Sequence, residues 1–199
     1  MMILYLHGFR SSPSSFKAKL LADQFSDPAL AGSWFCPQLP ASPRESVAIA
    51  EALVQKHLPA DRIASELVLI GSSLGGYYAN WLAERWGCRA AMLNPAVYAP
   101  RDLATQVGTH TAWHDGSPFV FLPEYVDELQ AMRTGMTRPD RYLLVAATGD
   151  EVLDWREMRD YYAGAHQHII EGSDHGLGDY PRWLPELRAF MGLPGSPDA

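Results

Sequence analysis

The sequence is short of the features that mark secreted, membrane or nucleic-acid-binding chains. Its 199 residues hold two cysteines, Cys36 and Cys88. Their spacing fits neither a zinc site nor a CxxC redox motif, so they read as buried, reduced thiols of a cytosolic protein. Basic residues are outnumbered, 16 against 23 acidic, and the net charge is −7. No Lys/Arg run offsets that balance, so no pull toward nucleic acid is expected, and polyanionic partners would need a local basic patch. No apolar run approaches the roughly 18 residues of a spanning helix. The start, Met-Met-Ile-Leu-Tyr-Leu, lacks the basic and long apolar regions of a signal peptide. The expected location is the cytoplasm, and the oligomeric state stays open.

What is present describes a folded chain of single-domain size. Hydrophobic residues make up 47% and charged residues 20%, the balance of a soluble globular protein. The length suits one domain, expected over 1–192, with a frayed Pro/Gly/Ser tail at 193–199. Met2–Leu6, Leu67–Ile70, Ala90–Leu93 and Tyr142–Ala147 are short apolar runs of the kind that form strands covered on both faces. Trp34–Cys36 and His168–Ile170 add two shorter strands. Helices are expected over Phe16–Phe25, from Ser42-Pro43-Arg44-Glu45 to about His57, over Gly75–Trp86, from Asp154 onward, and over Pro181–Phe190. Ser42 with Glu45, and Asp154 with Glu157, each suggest a capping box. Alternating strands and helices imply a mostly parallel sheet of about six strands flanked by helices. Residues 96–140 break that rhythm, with one clear helix at Pro123–Met132. An insert of this size suggests a lid or substrate wall.

Gly71-Ser72-Ser73-Leu74-Gly75 fits G-x-S-x-G. The motif alone is weak, but here it directly follows an apolar strand and directly precedes a helix, the context of a nucleophile elbow. The sharp turn leaves no room for side chains two positions either side of the serine, hence glycine. It also points the Ser73 hydroxyl to a helix N-terminus, where positive dipole and free N–H groups gather. Ser72 is the weaker alternative. One oxyanion donor should be the Leu74 N–H, and the second should come from the loop after the first strand. Gly8 allows close approach there, which favours the Phe9 N–H over that of Arg10. His7 reads as a structural residue shaping this loop.

A serine needs a base, and the base an orienting carboxylate. In the α/β-hydrolase fold the order is Ser, acid, His. Asp150, in Thr148-Gly149-Asp150-Glu151 after a late strand, is the candidate acid, ahead of Glu151 and the helix cap Asp154. His175, in the glycine-flanked loop after the last strand, is the candidate base. Asp174 reads as a loop-stabilising carboxylate, and His166 and His168 as structural. His110 and His114 lie four apart with Asp115 next, but no HExxH glutamate accompanies them, so no metal is expected, and a serine, acid and histidine working together need no other cofactor. Trp113, Phe119, Phe121 and Tyr125 could line an acyl pocket or equally form lid core.

Tyr5-Leu6-His7-Gly8-Phe9, Ser11-Ser12-Pro13, Pro37-Gln38-Leu39-Pro40, Gly71–Tyr78, Asn94-Pro95-Ala96-Val97, Thr148–Asp154 and Ile169–Gly172 with His175 together resemble the YqiA-type esterases, small bacterial α/β-hydrolases. The resemblance spans nearly the whole chain and is poorest across Pro100–Arg141. It implies a Ser73–Asp150–His175 triad acting on short acyl esters and on acyl-CoA thioesters. Peptide or amide hydrolysis on the same triad, and a non-catalytic ligand-binding role, are the alternatives the residues leave open.

Overall fold

In the computed structural model, which describes residues 1–25, 30 and 32–193, six strands form one parallel sheet. The strands are β1 (Met2–Leu6), β2 (Trp34–Phe35), β3 (Leu67–Ser72), β4 (Arg89–Leu93), β7 (Tyr142–Ala147) and β8 (His166–Ile170), in the spatial order β2-β1-β3-β4-β7-β8. Between β4 and β7, the strands β5 (Gly108–Thr111) and β6 (Pro118–Phe121) make a separate antiparallel hairpin. The fold is that of an α/β-hydrolase.

The sheet is covered on both faces, which is why its central strands are largely apolar. Alternating side chains of β1 serve opposite cores. Ile3 and Tyr5 pack with helices α1 (Phe16–Gln24) and α8 (Leu184–Phe190) through Leu21, Trp183 and Leu187. Leu4 and Leu6 face α2 (Pro43–His57) and α4 (Leu74–Trp86) through Val47, Val54, Leu82 and Ala83. Each fully buried Leu, Ile or Val among them contributes about 1.5–3 kcal/mol. The short α3 (Ile63–Glu66) leads into β3, and α7 (Trp155–Tyr161) into β8. No helix among the described residues is long and apolar enough to cross a membrane.

Helix ends follow local chemistry, with two departures. Ser15 caps α1, accepting from the Ala18 N–H, and Gly87 ends α4 at φ +71. Ser42 accepts from the Glu45 N–H as expected, but its other partner is Glu128 of α6 (Pro123–Ala131), whose carboxylate accepts from the Ser42 hydroxyl at 2.8 Å and the Arg44 N–H at 2.9 Å. Asp154 caps α7, whereas Glu157 reaches across to Arg101 in a two-pronged pair at 2.7 and 2.8 Å. The 96–140 segment holds more structure than one helix. Besides α6 it carries α5 (Ala99–Ala104) and the β5–β6 hairpin, whose four-residue strands are too short to show a period. The expected C-terminal helix begins at Leu184 rather than Pro181, after a 3-10 turn at Tyr180–Arg182. Residues 194–199 of the expected tail lie outside the described residues.

Candidate active site

The order β2-β1-β3 places a topological switch point between β1 and β3, because the chain moves outward from β1 in one direction and then returns to the other side. Crevices at such points, outside the carboxyl ends of the strands, are where open α/β sheets bind ligands. The loop after β1 carries His7–Arg10, and the turn after β3 carries Ser73. The remaining candidates follow β4, β7 and β8 at the same sheet edge.

Ser73 sits in the turn with φ +54 and ψ −121, a conformation non-glycine residues avoid at a cost of about 1–3 kcal/mol. Three hydrogen bonds fix it there. Its N–H donates to Leu93 O at 3.1 Å, and its carbonyl accepts from the N–H groups of Gly76 (2.9 Å) and Ala96 (3.0 Å). The flanking glycines are sterically required. A Cβ on Gly71 would lie 2.4 Å from Gly75 O, and one on Gly75 would lie 1.9 Å from Leu6 O. Ser73 is half-buried and opens the 13-residue α4, so its hydroxyl meets the helix's positive end. Ser72 is the last residue of β3 and is buried.

The β1 loop approaches closely. A Cβ on Gly8 would be 3.1 Å from Ser73 Cβ and 3.5 Å from Ser73 Oγ. Among the described residues neither the Phe9 N–H nor the Leu74 N–H is taken by a protein acceptor. His7 anchors the loop. Its Nε2 accepts from the Leu39 N–H at 3.0 Å, so Nδ1 carries the proton and donates to Gly8 O at 3.0 Å. Burial holds the His7 pKa below its ordinary value, consistent with that neutral tautomer.

Asp150 and His175 are brought together. His175 Nδ1 donates to Asp150 Oδ2 at 2.7 Å, and the Asp150 side chain is fully buried. The other carboxylate oxygen accepts from the N–H groups of Val152 (2.8 Å) and Leu153 (2.9 Å). The imidazole is thereby held in the tautomer that leaves Nε2 as an acceptor. Ser73 Oγ makes no hydrogen bond with His175 here. Such contacts are commonly long in unliganded sites and tighten with substrate.

Asn94 and Lys17, which have no assigned role in the sequence reading, hold the His175 loop together with Glu151. Asn94, fully buried at φ +43, donates from Nδ2 to the carbonyls of Asp174 (3.0 Å) and His175 (3.2 Å) and accepts from the Ala147 N–H at 2.8 Å. It thus ties the ends of β4 and β7 to the loop after β8. Lys17 of α1 donates to the same His175 carbonyl at 3.0 Å. Burial draws its pKa down to about 8, against the attraction of Asp150, Asp174 and Glu151. Glu151, read earlier as a competing acid, accepts from the His175 N–H at 3.0 Å. For Asn94 and Lys17 the one sequence signal available was the Asn-Pro that ends β4. Asp174 Oδ1 accepts from the Gly178 N–H at 3.3 Å, and His166 and His168 bond to Glu186 and to the Arg182 carbonyl.

Ser73 and His175 line one cavity of about 1090 Å³, together with Phe9, Lys17, Leu74 and Leu103. Of the four aromatics expected at an acyl pocket, Trp113 lines it, 71% exposed. Phe119, Phe121 and Tyr125 do not. Phe121 is fully buried and stacks edge-on with Tyr125, and both Phe119 and Phe121 pack on Phe9, because the hairpin turns that face onto the β1 loop. His110 bonds to Gln106 O, and His114 lies 3.3 Å from Asp115. No group of three metal-ligating side chains occurs among the described residues.

The chain has relatives in sequence and in fold. UPF0227 proteins of Yersinia enterocolitica serotype O:8 / biotype 1B and of Yersinia pseudotuberculosis serotype O:1b are each 26% identical over 200 residues, covering 96% of this chain and 99% of theirs. Solved structures share the fold at lower identity. Est1E from Butyrivibrio proteoclasticus superposes with a TM-score of 0.66 at 17% identity, covering 96% of this chain and 86% of that one. Mouse alpha/beta hydrolase domain-containing protein 10 gives 0.65 at 13%, with 96% and 88% covered. The esterase domain of a Rhodothermus marinus protein gives 0.61 at 19%, with 91% and 80% covered. The sequence profile of UPF0227, described as an uncharacterised protein family, matches residues 2–192, and the chain belongs to that family, the YqiA family its motifs resemble.

Proposed function

We propose that the protein is a serine hydrolase that cleaves short acyl esters or acyl-CoA thioesters through an acyl-enzyme on Ser73. The observation that carries this reading is one juxtaposition. A serine held at φ +54 on a helix N-terminus shares a cavity with an imidazole whose far nitrogen is fixed by a fully buried carboxylate. In the first step His175 Nε2 takes the hydroxyl proton as Ser73 Oγ bonds to the acyl carbon. The Leu74 and Phe9 N–H groups hold the oxyanion. The bond to the leaving oxygen or sulfur then breaks, and His175 returns the proton to that atom. Water, deprotonated by the same imidazole, releases the acid. Asp150 stabilises the imidazolium in both steps.

The fold likeness to an esterase domain agrees with this chemistry. Cavity charge does not choose between ester and thioester. Arg10, Lys17 and Arg101 line it, and so do Asp102, Glu151 and Asp174. A fluorophosphonate label tests the reading. One adduct on Ser73 is expected, lost in Ser73→Ala and strongly slowed in His175→Ala. Asp150→Asn should lower ester kcat by about 10⁴-fold, the effect of the wrong imidazole tautomer in such triads. Undiminished labelling of Ser73→Ala would falsify the assignment. A panel of p-nitrophenyl esters, acyl-CoA thioesters and peptide anilides then ranks the substrate classes.

A further inference from the structure

This inference rests on the esterase reading. We propose that the β5–β6 hairpin braces the oxyanion-donor loop, with Arg10 as the positioning residue that fastens it.

Two consecutive residues of the loop are tied to the hairpin by independent contacts. The Phe9 ring meets all three large side chains on the hairpin's inward face edge-on. Its centroid lies 5.6 Å from that of His110, 5.1 Å from Phe119 and 5.3 Å from Phe121, with interplanar angles of 77°, 86° and 90°. Edge-to-face contact is the favoured aromatic geometry and is directional, so it sets the orientation of the ring as well as its depth. Arg10 is held at both ends. Its Nε donates to Thr111 O at 2.7 Å and its Nη2 to Thr111 Oγ1 at 3.3 Å. Its guanidinium lies 4.1 Å from the centre of the Trp113 ring, and its own carbonyl accepts from the Trp113 N–H at 2.9 Å. These contacts hold Arg10 at φ +59, the backbone turn that follows the donor residue.

The upstream end of the loop is fixed differently, by His7 on Leu39 and by the close approach of Gly8 to Ser73. The Phe9 N–H lies between these two anchors. An oxyanion donor acts only when aimed at the place where charge develops, and a displacement of about 1 Å costs on the order of 100-fold in rate. The inward aromatics of the insert therefore act on the reaction through the Phe9 main chain. A direct contact of Arg10 with substrate is the competing role, since Arg10 also lines the cavity.

The test compares Arg10→Ala, Arg10→Met, Phe119→Leu and Val120→Ala with the wild type on p-nitrophenyl butyrate. Competent sites are titrated with fluorophosphonate, and an alkylboronic acid serves as a tetrahedral-anion mimic. Val120 points outward and is 43% exposed, so Val120→Ala should keep the wild-type kcat. Arg10→Ala and Arg10→Met should lose about 10- to 100-fold in kcat per titrated site, with KM within about threefold. Boronate affinity should weaken by the same factor. Phe119→Leu, which keeps an apolar group of similar bulk, should show a smaller loss of the same kind. Wild-type kcat in both Arg10 variants would overturn the brace, as would a loss confined to KM, which a substrate contact produces. A wild-type protein with no Ser73-dependent turnover would instead remove the esterase reading, and the inference with it.

Discussion

Replacing Asn94 should reveal how the base is held. The side chain makes three hydrogen bonds from a fully buried position. Asn94→Ala leaves the buried Ala147 N–H without its acceptor, which costs about 1–3 kcal/mol. It also puts a Cβ without a local polar partner at φ +43, roughly a further 1 kcal/mol. The expected loss is about 2–4 kcal/mol. With a urea slope of about 2 kcal/mol/M, the unfolding midpoint falls by about 1–2 M. Asn94→Gly removes the same bonds but tolerates the positive φ, so it should be the milder change by about 1 kcal/mol. Asn94→Asp keeps an acceptor for Ala147 but faces two carbonyls with a carboxylate, so it should not restore the wild type. The His175 carbonyl would retain only Lys17, and kcat should fall about tenfold as the imidazole loosens. Urea titration and steady-state kinetics on all three variants decide the matter. An Asn94→Ala protein within about 0.5 kcal/mol of wild type, with Asn94→Gly no better, would refute the reasoning.

Two further perturbations probe the elbow and its neighbour loop. Gly75→Ala should not give soluble folded protein, because the new Cβ meets backbone at Leu6 O, 1.9 Å, and His7 O, 2.7 Å, and Leu6 cannot move without breaking its pairing with β3. Gly135→Ala, where nothing lies within 4 Å, should melt like the wild type; equal soluble yield from both would contradict the close contact of Gly75 with β1. His7 gives a pH signature. Its folded pKa is held below the ordinary 6.5 by burial, so the unfolded chain takes the proton first as pH falls. Its contribution to stability is complete above about pH 6.5 and is lost as pH drops through the folded value. Urea midpoints measured from pH 8 to 5 should therefore decline more steeply in the wild type than in His7→Gln, and parallel slopes would count against the buried neutral imidazole.

The sequence by itself determined whatever depends on neighbours along the chain. Apolar runs such as Leu67–Ile70, short and bounded by a turn, read as strands with both faces covered. Gly71 and Gly75 mark a turn too tight for side chains, and Ser42, Asp154 and Gly87 end helices by bonds or conformations made within a few residues. The order of strands also put Ser73, Asp150 and His175 on loops at one sheet edge. Tertiary structure alone decided what those loops touch. Phe119 and Phe121 face Phe9 rather than the cavity, Asn94 and Lys17 converge on one carbonyl of the His175 loop, and Glu157 leaves its own helix cap for Arg101. Each of these joins residues tens to more than a hundred positions apart, and such pairings leave no period in the sequence. They arise from how the sheet, once formed, brings separate loops within a few ångströms of one another.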